Sequence, residues 1–183
     1  KSIFFFLISR RLRGKKIIAP QTLPVRPTTD FAKTGLFNIL SNRISWPNTT
    51  ALDLFAGTGN ISYEMISRGV ANITAVDLDK RCVAFIQKTF DDIHAINTSV
   101  IHSDALEFLD QCTSTFDLIF ADPPFAESPV NDLVSLVFNK KLLRKNGLLV
   151  IEHSSDMSFT IPEYIPEKRT YGAVSFSIFV AEK

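Results

Sequence analysis

The sequence predicts an α/β fold: a mostly parallel sheet with helices on both faces and an antiparallel hairpin at its C-terminal edge. Three observations predict it. Between residues 50 and 152, apolar runs of strand length alternate with stretches of helical periodicity, the pattern that builds parallel βαβ units. The first of these strands runs into a turn, Gly57-Thr58-Gly59, that opens a helix. Beyond Pro162 the alternation stops, and two strand-like stretches flank Gly172, which reads as a hairpin closing the sheet edge.

The first 27 residues read as short strands and turns, with Gly14 in a basic turn and Pro20, Pro24 and Pro27 as breakers. Residues 3–8 are six apolar residues in a row, too few for a membrane span or the core of a secretion signal. A strand is expected there, in a soluble chain without a membrane partner. Thr28, Thr29 and Asp30 offer N-caps for a helix over 30–43, with Phe31, Leu36, Phe37 and Leu40 at helical spacing. Pro47 and the polar residues 48–50 separate that helix from the first strand of the alternation. Strands are then expected over 50–55, 72–76, 99–102, 116–121 and 148–152, and helices over 60–68, 80–93, 105–110 and 131–143. The hairpin takes 167–171 and 174–181. This divides the chain into a basic β extension, 1–29, and a main domain, 30–183.

At 183 residues, 45% hydrophobic and 21% charged, the chain suffices for one domain with a sizeable core. Sixteen Phe against three Tyr and one Trp read mostly as core filling. Cys82 and Cys112 form no CxxC, and the three His are scattered. A reduced, cytoplasmic protein without structural metal is expected. Cys82, on a helix, reads as packing. The net charge of +1 conceals an asymmetry, for residues 1–50 hold nine Lys/Arg against the single acid Asp30. Such placement suggests a basic arm for a polyanion, with Arg10, Arg11, Arg13 and Lys15 in it, on an acidic body.

In open α/β sheets ligands bind at the carboxyl ends of the strands, near the point where strand order reverses. The first strand of the alternation ends Asp53-Leu54-Phe55-Ala56-Gly57-Thr58-Gly59. Gly57 and Gly59 let a ligand lie against the backbone, and Asp53 suits an ammonium group. A dinucleotide fingerprint would place a third glycine where Ser62 stands. An acid before the glycine turn fits a cofactor with an amino-acid moiety better than one with a pyrophosphate. Asp77, about 20 residues beyond the turn, is placed to accept from two ribose hydroxyls. Asp104, after the third strand, is placed to accept from an adenine amino group. A lone strand-end Asp is commonly a helix cap, and Asp79 is read as one. Asp53, Asp77 and Asp104 on successive strands read as cofactor ligands, with Phe55, Leu78 and Ala105 beside them.

The fourth strand delivers Asp122-Pro123-Pro124-Phe125 to the same rim. An exocyclic amine of adenine, cytosine or guanine is a poor nucleophile because its lone pair is delocalised into the ring. Asp122 and the Pro123 carbonyl accept from its two N–H groups and favour a pyramidal nitrogen aimed at a methyl sulfonium. The prolines hold these acceptors rigidly and add no competing donor, and Phe125 offers a face for a splayed-out base. The competing structural reading is a rigid proline turn ending a strand, which the upstream glycine turn and Asp77 disfavour.

Together, Arg13-Gly14-Lys15, Arg26-Pro27-Thr28-Thr29-Asp30, Leu36-Phe37-Asn38, the 53–59 stretch and Asp122-Pro123-Pro124-Phe125 resemble the bacterial small-subunit ribosomal RNA guanine-N2 methyltransferases (the RsmD family). The likeness runs from about Ile8 to the C-terminus. It implies a Rossmann-like class I fold with a seven-stranded sheet and an N-terminal β-hairpin extension. It implies S-adenosylmethionine as donor, with S-adenosylhomocysteine as product, and a guanine of 16S ribosomal RNA as acceptor, within a 30S particle or assembly intermediate. Carried over, Asp53, Gly57 and Gly59 line the methionine end, Asp77 the ribose and Asp104 the adenine. Asp122 to Phe125 hold the guanine N2, and Arg26, Thr28 and Thr29 approach cofactor and substrate. Thr34 and Gly35 replace the Glu-Ala or Glu-Gly that usually precedes Leu-Phe-Asn. Two other readings stand beside this one: an adenine-N6 methyltransferase acting on DNA or RNA, and a catalytically silent RNA-binding assembly factor on the same fold. Nothing in the sequence asks for more than a monomer.

Overall fold

The computed structural model describes residues 3–7, 12, 14–20, 22–23, 28–124, 130–157 and 164–182. Nine strands and five α-helices are described, in the order β1 (Ile3–Phe6), β2 (Lys16–Ala19), α1 (Asp30–Ser41), β3 (Thr50–Leu54), α2 (Asn60–Arg68), β4 (Asn72–Asp77), α3 (Lys80–Asp92), β5 (Thr98–His102), α4 (Ala105–Gln111), β6 (Phe116–Ala121), α5 (Val130–Asn139), β7 (Leu143–Ser154), β8 (Glu167–Tyr171) and β9 (Val174–Val180). The main sheet has seven strands in the order β5-β4-β3-β6-β7-β9-β8. Strands β3 to β7 pair in parallel, whereas β9 runs antiparallel to both β7 and β8. This is the Rossmann-like, class I methyltransferase architecture expected. From β3 the chain winds outward through β4 and β5, then returns to build β6 and β7 on the other side. Strand order therefore reverses between β3 and β6, where a ligand crevice opens.

Each face of the sheet has its own apolar layer. Leu52, Leu54, Ile119, Ala121, Leu149 and Ile151 meet α4 and α5. Ala51, Leu118, Phe120, Leu148 and Val150 meet α1 and α2. A third cluster joins Leu7, Ile17, Ala19 and Leu23 of the N-terminal segment to Tyr63, Cys82, Ile86 and Phe90. The β1–β2 hairpin thus packs on α2 and α3, and Cys82 is buried there. Its thiol is pushed up to about 12, mainly by burial.

Helix α1 forms because Ala32, Lys33, Leu36, Phe37 and Leu40 share one buried face and the Thr29 hydroxyl accepts from the Ala32 N–H. It stops at Ser41, two residues earlier than the spacing predicts. Helix α5 likewise ends at Asn139, where the spacing predicts 131–143, and the strand expected over 148–152 starts at Leu143. Lys141 takes a positive φ of 54°, and the Leu142 N–H bonds the Val137 carbonyl. This closes the helix and frees Leu143 to pair with Phe116. The first strand of the alternation ends at Leu54, for Phe55 has φ 58° and belongs to the turn.

Gly35 lies on α1 beneath the Tyr171 ring, and a Cβ there would stand 2.2 Å from Tyr171 Cε1. The absence of a side chain lets β8 approach the helix, with Phe31 meeting Tyr171 edge-on at 5.6 Å. Gly35→Ala gains about 1 kcal/mol of helix propensity but overpacks the contact by about 1–3 kcal/mol. We expect a melting temperature lower by up to about 8 °C. In a Tyr171→Ala background the same substitution should raise it, and a fall there would remove the ring from the explanation.

Candidate active site

The reversal point gathers the strand-end residues. Strand β3 carries Asp53, 1% exposed, whose Oδ2 accepts from the Ser62 hydroxyl. Ser62, standing where a dinucleotide site would have glycine, is thus a support for the acid. The turn after β3 has φ values of 58°, 56° and 78° at Phe55, Gly57 and Gly59. A Cβ at Gly59 would meet the Tyr63 ring at 2.7 Å, so glycine serves both backbone shape and close packing there.

Strand β4 presents Asp77 beside this turn. Its Oδ2 accepts from Gly57 N–H at 2.7 Å and its Oδ1 from Asp79 N–H at 2.8 Å. The carboxylate therefore fixes the glycine turn and keeps lone pairs for further donors. Leu78 is 65% exposed beside it, an apolar face open to a planar ring. Asp79 caps α3 through the Arg81 N–H, as expected. Asp104 does the same for α4, its Oδ1 accepting from Leu106 and Glu107 N–H. Ligand and cap are the two roles open to a strand-end acid; at Asp104 the cap is made, and only Oδ2 is left over. Ala105 is buried in the core, so it offers a ligand nothing beyond its backbone.

Strand β6 leads into Asp122, half-buried, with Pro123 buried and Pro124 exposed behind it. The Asp122 N–H reaches the Leu54 carbonyl at 3.4 Å, which ties the motif to the end of β3. Because Leu54, Ala121 and Ile151 are register partners, the next residues of β6 and β7, Asp122 and Glu152, lie side by side. Two residues on from Phe120 and Val150, partners in the row of Asp53, both fall on its face of the sheet. Asp53, Asp122 and Glu152 form a row of three acids at the carboxyl ends of three neighbouring strands. Among the described residues, no group of three or more His, Cys, Asp or Glu is placed to hold a metal ion.

The electrostatics of this row are incomplete. Burial pushes the Asp122 carboxyl up to about 8, helped by Glu152 and Asp53. It pushes Asp53 up to about 7 against the Ser62 hydrogen bond, and Glu152 up to about 7 against the Thr28 hydroxyl. The donors described around these acids are neutral hydroxyls. Among the described residues no cation bonds these three carboxyls, a setting suited to a ligand that brings positive charge and N–H groups.

Glu152, 3% exposed, is a site residue that the sequence alone does not single out. Its Oε2 accepts from Thr28 Oγ1 at 2.6 Å, so Thr28, an expected substrate residue, joins the row. The Thr28 carbonyl accepts from Asn60 Nδ2 at 3.3 Å, and Asn60 Oδ1 from Lys33 Nζ at 2.8 Å. Lys33 is fully buried and also bonds the Phe6 carbonyl at 3.0 Å. Desolvation lowers its pKa, with Asp30 and Glu64 opposing. This network fastens the N-terminal hairpin, α1 and the start of α2 around the rim. Thr29, by contrast, spends its hydroxyl on capping α1. Lys15 is exposed, just after the Gly14 turn. Arg10, Arg11, Arg13, Arg26 and Phe125 lie outside the described residues. No helix among the described residues is long and apolar enough to cross a membrane.

Known proteins resemble this chain over most of its length. The family model described as conserved hypothetical protein 95 matches residues 6–180. The ribosomal RNA small subunit methyltransferase D of Buchnera aphidicola subsp. Acyrthosiphon pisum is 32% identical over 164 residues, 89% of this chain and 85% of that protein. The solved structure of YhhF from Escherichia coli superposes with a TM-score of 0.84 at 27% identity, over 98% of this chain and 99% of that one. The T. thermophilus 16S rRNA N2 G1207 methyltransferase, solved with AdoMet and guanosine, gives 0.73 at 18% identity, over all of this chain and 50% of that one, a likeness of fold.

Proposed function

This chain belongs to the family described as conserved hypothetical protein 95, and from that premise we propose that it methylates the exocyclic N2 of a guanine in small-subunit ribosomal RNA, with S-adenosylmethionine as donor. The observation that carries the reading is the row Asp53, Asp122 and Glu152 at the strand-order reversal. The name of the Buchnera relative supports ribosomal RNA as the substrate class.

The donor, when bound, supplies an electrophilic methyl group on a sulfonium. The chain's residues do the rest. Asp53, steadied by Ser62, holds the ammonium of the methionine end against the glycine turn. Asp77, fixed by Gly57 and Asp79, takes ribose hydroxyls, Leu78 and Phe55 flank the purine, and Asp104 offers its remaining oxygen to the adenine amine. Asp122 and the Pro123 carbonyl accept the two N–H groups of guanine N2. This localises the nitrogen lone pair and aims it at the methyl. Phe125 stacks on the base. Positioning and electrostatic preorganisation carry the rate, and the proton lost by N2 after transfer passes by way of Asp122 to solvent.

The segment 1–29 acts as a basic extension on the catalytic domain 30–183, with Arg10, Arg11, Arg13, Lys15 and Arg26 meeting phosphates. The protein works as a monomer in the cytoplasm, on a 30S particle or assembly intermediate. Replacing Arg10, Arg11 and Arg13 together with Ala should lower the slope of log affinity for RNA against log salt by about 2–3; an unchanged slope removes the arm from the binding surface. The reading itself is tested by radiolabelled methyl transfer to 30S particles from cells lacking the protein. Label recovered as N2-methylguanosine is expected, and label in N6-methyladenosine, or on DNA alone, overturns it.

A further inference from the structure

Resting on that reading, we propose that Glu152 selects guanine over adenine by accepting the N1–H of the target base while Asp122 and Pro123 hold its N2. The two purines differ where this row would meet them. Guanine presents an N1–H donor beside its exocyclic amine, whereas adenine presents a lone pair at N1 beside its own. A carboxylate next to the amine-holding acid welcomes the first and repels the second.

The register places Glu152 for this role. It follows Ile151 as Asp122 follows Ala121, and Ala121 and Ile151 are partners on parallel strands, so the two acids stand about 4.8 Å apart along the rim. Both share the face of Asp53, the acid on the strand that leads into the glycine turn. The row thus runs from the cofactor end at β3, through the amine at β6, to the next position of the substrate edge at β7. Glu152 is 3% exposed, and Thr28 Oγ1 is the one donor seen on its carboxylate among the described residues. No side-chain hydrogen bond to Asp122 is seen among them either. With Oε2 engaged, Oε1 has no described protein donor, and an incoming N–H completes it. Thr28, itself anchored through Asn60, orients the carboxylate by engaging Oε2 and leaves Oε1 for the base. Burial, which pushes the Glu152 carboxyl up to about 7, marks the same shortage of donors.

The competing role is purely structural, with Glu152 serving only to anchor Thr28. Glu152→Gln separates the two, because the amide oxygen still accepts from Thr28 while the amide nitrogen donates towards N1. The substrates are 30S particles reconstituted with 16S RNA carrying either guanine or 2-aminopurine at the methylated position. The analogue keeps the 2-amino group but has a lone pair at N1. The wild-type enzyme is expected to favour guanine by about a hundredfold or more in kcat/KM. In the Gln variant that ratio should fall below about ten, with transfer to 2-aminopurine rising in absolute rate. A ratio unchanged from wild type, with both rates lowered alike, overturns the proposal and leaves Glu152 an anchor. A wild-type enzyme that forms no N2-methylguanosine on unmodified particles overturns the functional reading and this inference with it. A wild-type enzyme that methylates guanine and 2-aminopurine equally overturns this inference alone.

Discussion

Asp122→Ala lowers methyl transfer by about a hundred- to a thousandfold or more, while affinity for S-adenosylmethionine stays within about tenfold. The loss comes from the amine. Without the carboxylate, one N2–H of the desolvated base has no acceptor, and the lone pair returns to the ring. The cofactor keeps Asp53, Asp77 and the glycine turn, none of which bonds Asp122 through a side chain. Equal losses in both measurements would make Asp122 a cofactor ligand. Misfolding is excluded by a stability measurement with a definite sign. Asp122 is held at about 8 by burial and by Glu152 and Asp53, far above its value of about 3.9 in an unfolded chain. An acid so raised contributes stability that is fully present below about pH 4 and lost as pH rises through about 8. Wild-type stability should therefore fall from about pH 4 to about pH 8, measured by thermal or denaturant unfolding without cofactor. The variant, lacking one of three repelling acids, should fall less steeply over that window and be no less stable at pH 8.5. A variant that unfolds at lower temperature there would reassign the activity loss to packing.

Residues whose type and position suffice are legible in the sequence. Apolar runs ending in Asp53, Asp77 and Asp122 mark three strand ends at one rim, and Gly172 marks the final hairpin, because hydrophobic period and turn chemistry are local properties. The end of α5 is not legible. Leu142 and Leu143 continue an apolar spacing, and only the left-handed Lys141 and the pairing of Leu143 with Phe116 turn that spacing into a strand. Asp104 shows a second limit, since a strand-end Asp before a helix has the same sequence whether it caps or binds. Glu152 shows a third. An acid after Leu148-Leu149-Val150-Ile151 can be read as another strand end, like Asp53 and Asp122. Its partnership with them depends on the β6–β7 register, which skips residues between Leu143 and Leu148. Lys33 is the least legible, because nothing local says that an ammonium on the apolar face of α1 will meet Asn60 and the Phe6 carbonyl.

Asp53→Asn weakens S-adenosylmethionine binding by about a hundred- to a thousandfold, with a change in its pH dependence that identifies the cause. Removing one partner of a buried, hydrogen-bonded charge pair costs about 2–5 kcal/mol, because the ammonium is left desolvated without a counter-charge. In the wild type burial holds Asp53 near 7, opposed by Ser62. At pH 5 to 6 the acid is protonated, and a bound ammonium must expel that proton. Affinity should therefore rise by up to about tenfold per pH unit from pH 5 to about 7. Above about pH 8 it should fall again as the free α-amino group loses its own proton. Glu152 and Asp122 titrate in the same range, so the acid limb belongs to the row as a whole. The contribution of Asp53 is isolated by counting protons, using calorimetry at pH 6 in two buffers of different ionisation enthalpy. The variant should release about one proton fewer per cofactor bound than the wild type. An undiminished proton count would place the ammonium against Asp122 or Glu152 instead and move the cofactor one or two strands along the rim. That would take one of the two acids assigned to the base, so the proton count also tests the order in which the row divides its work between donor and base.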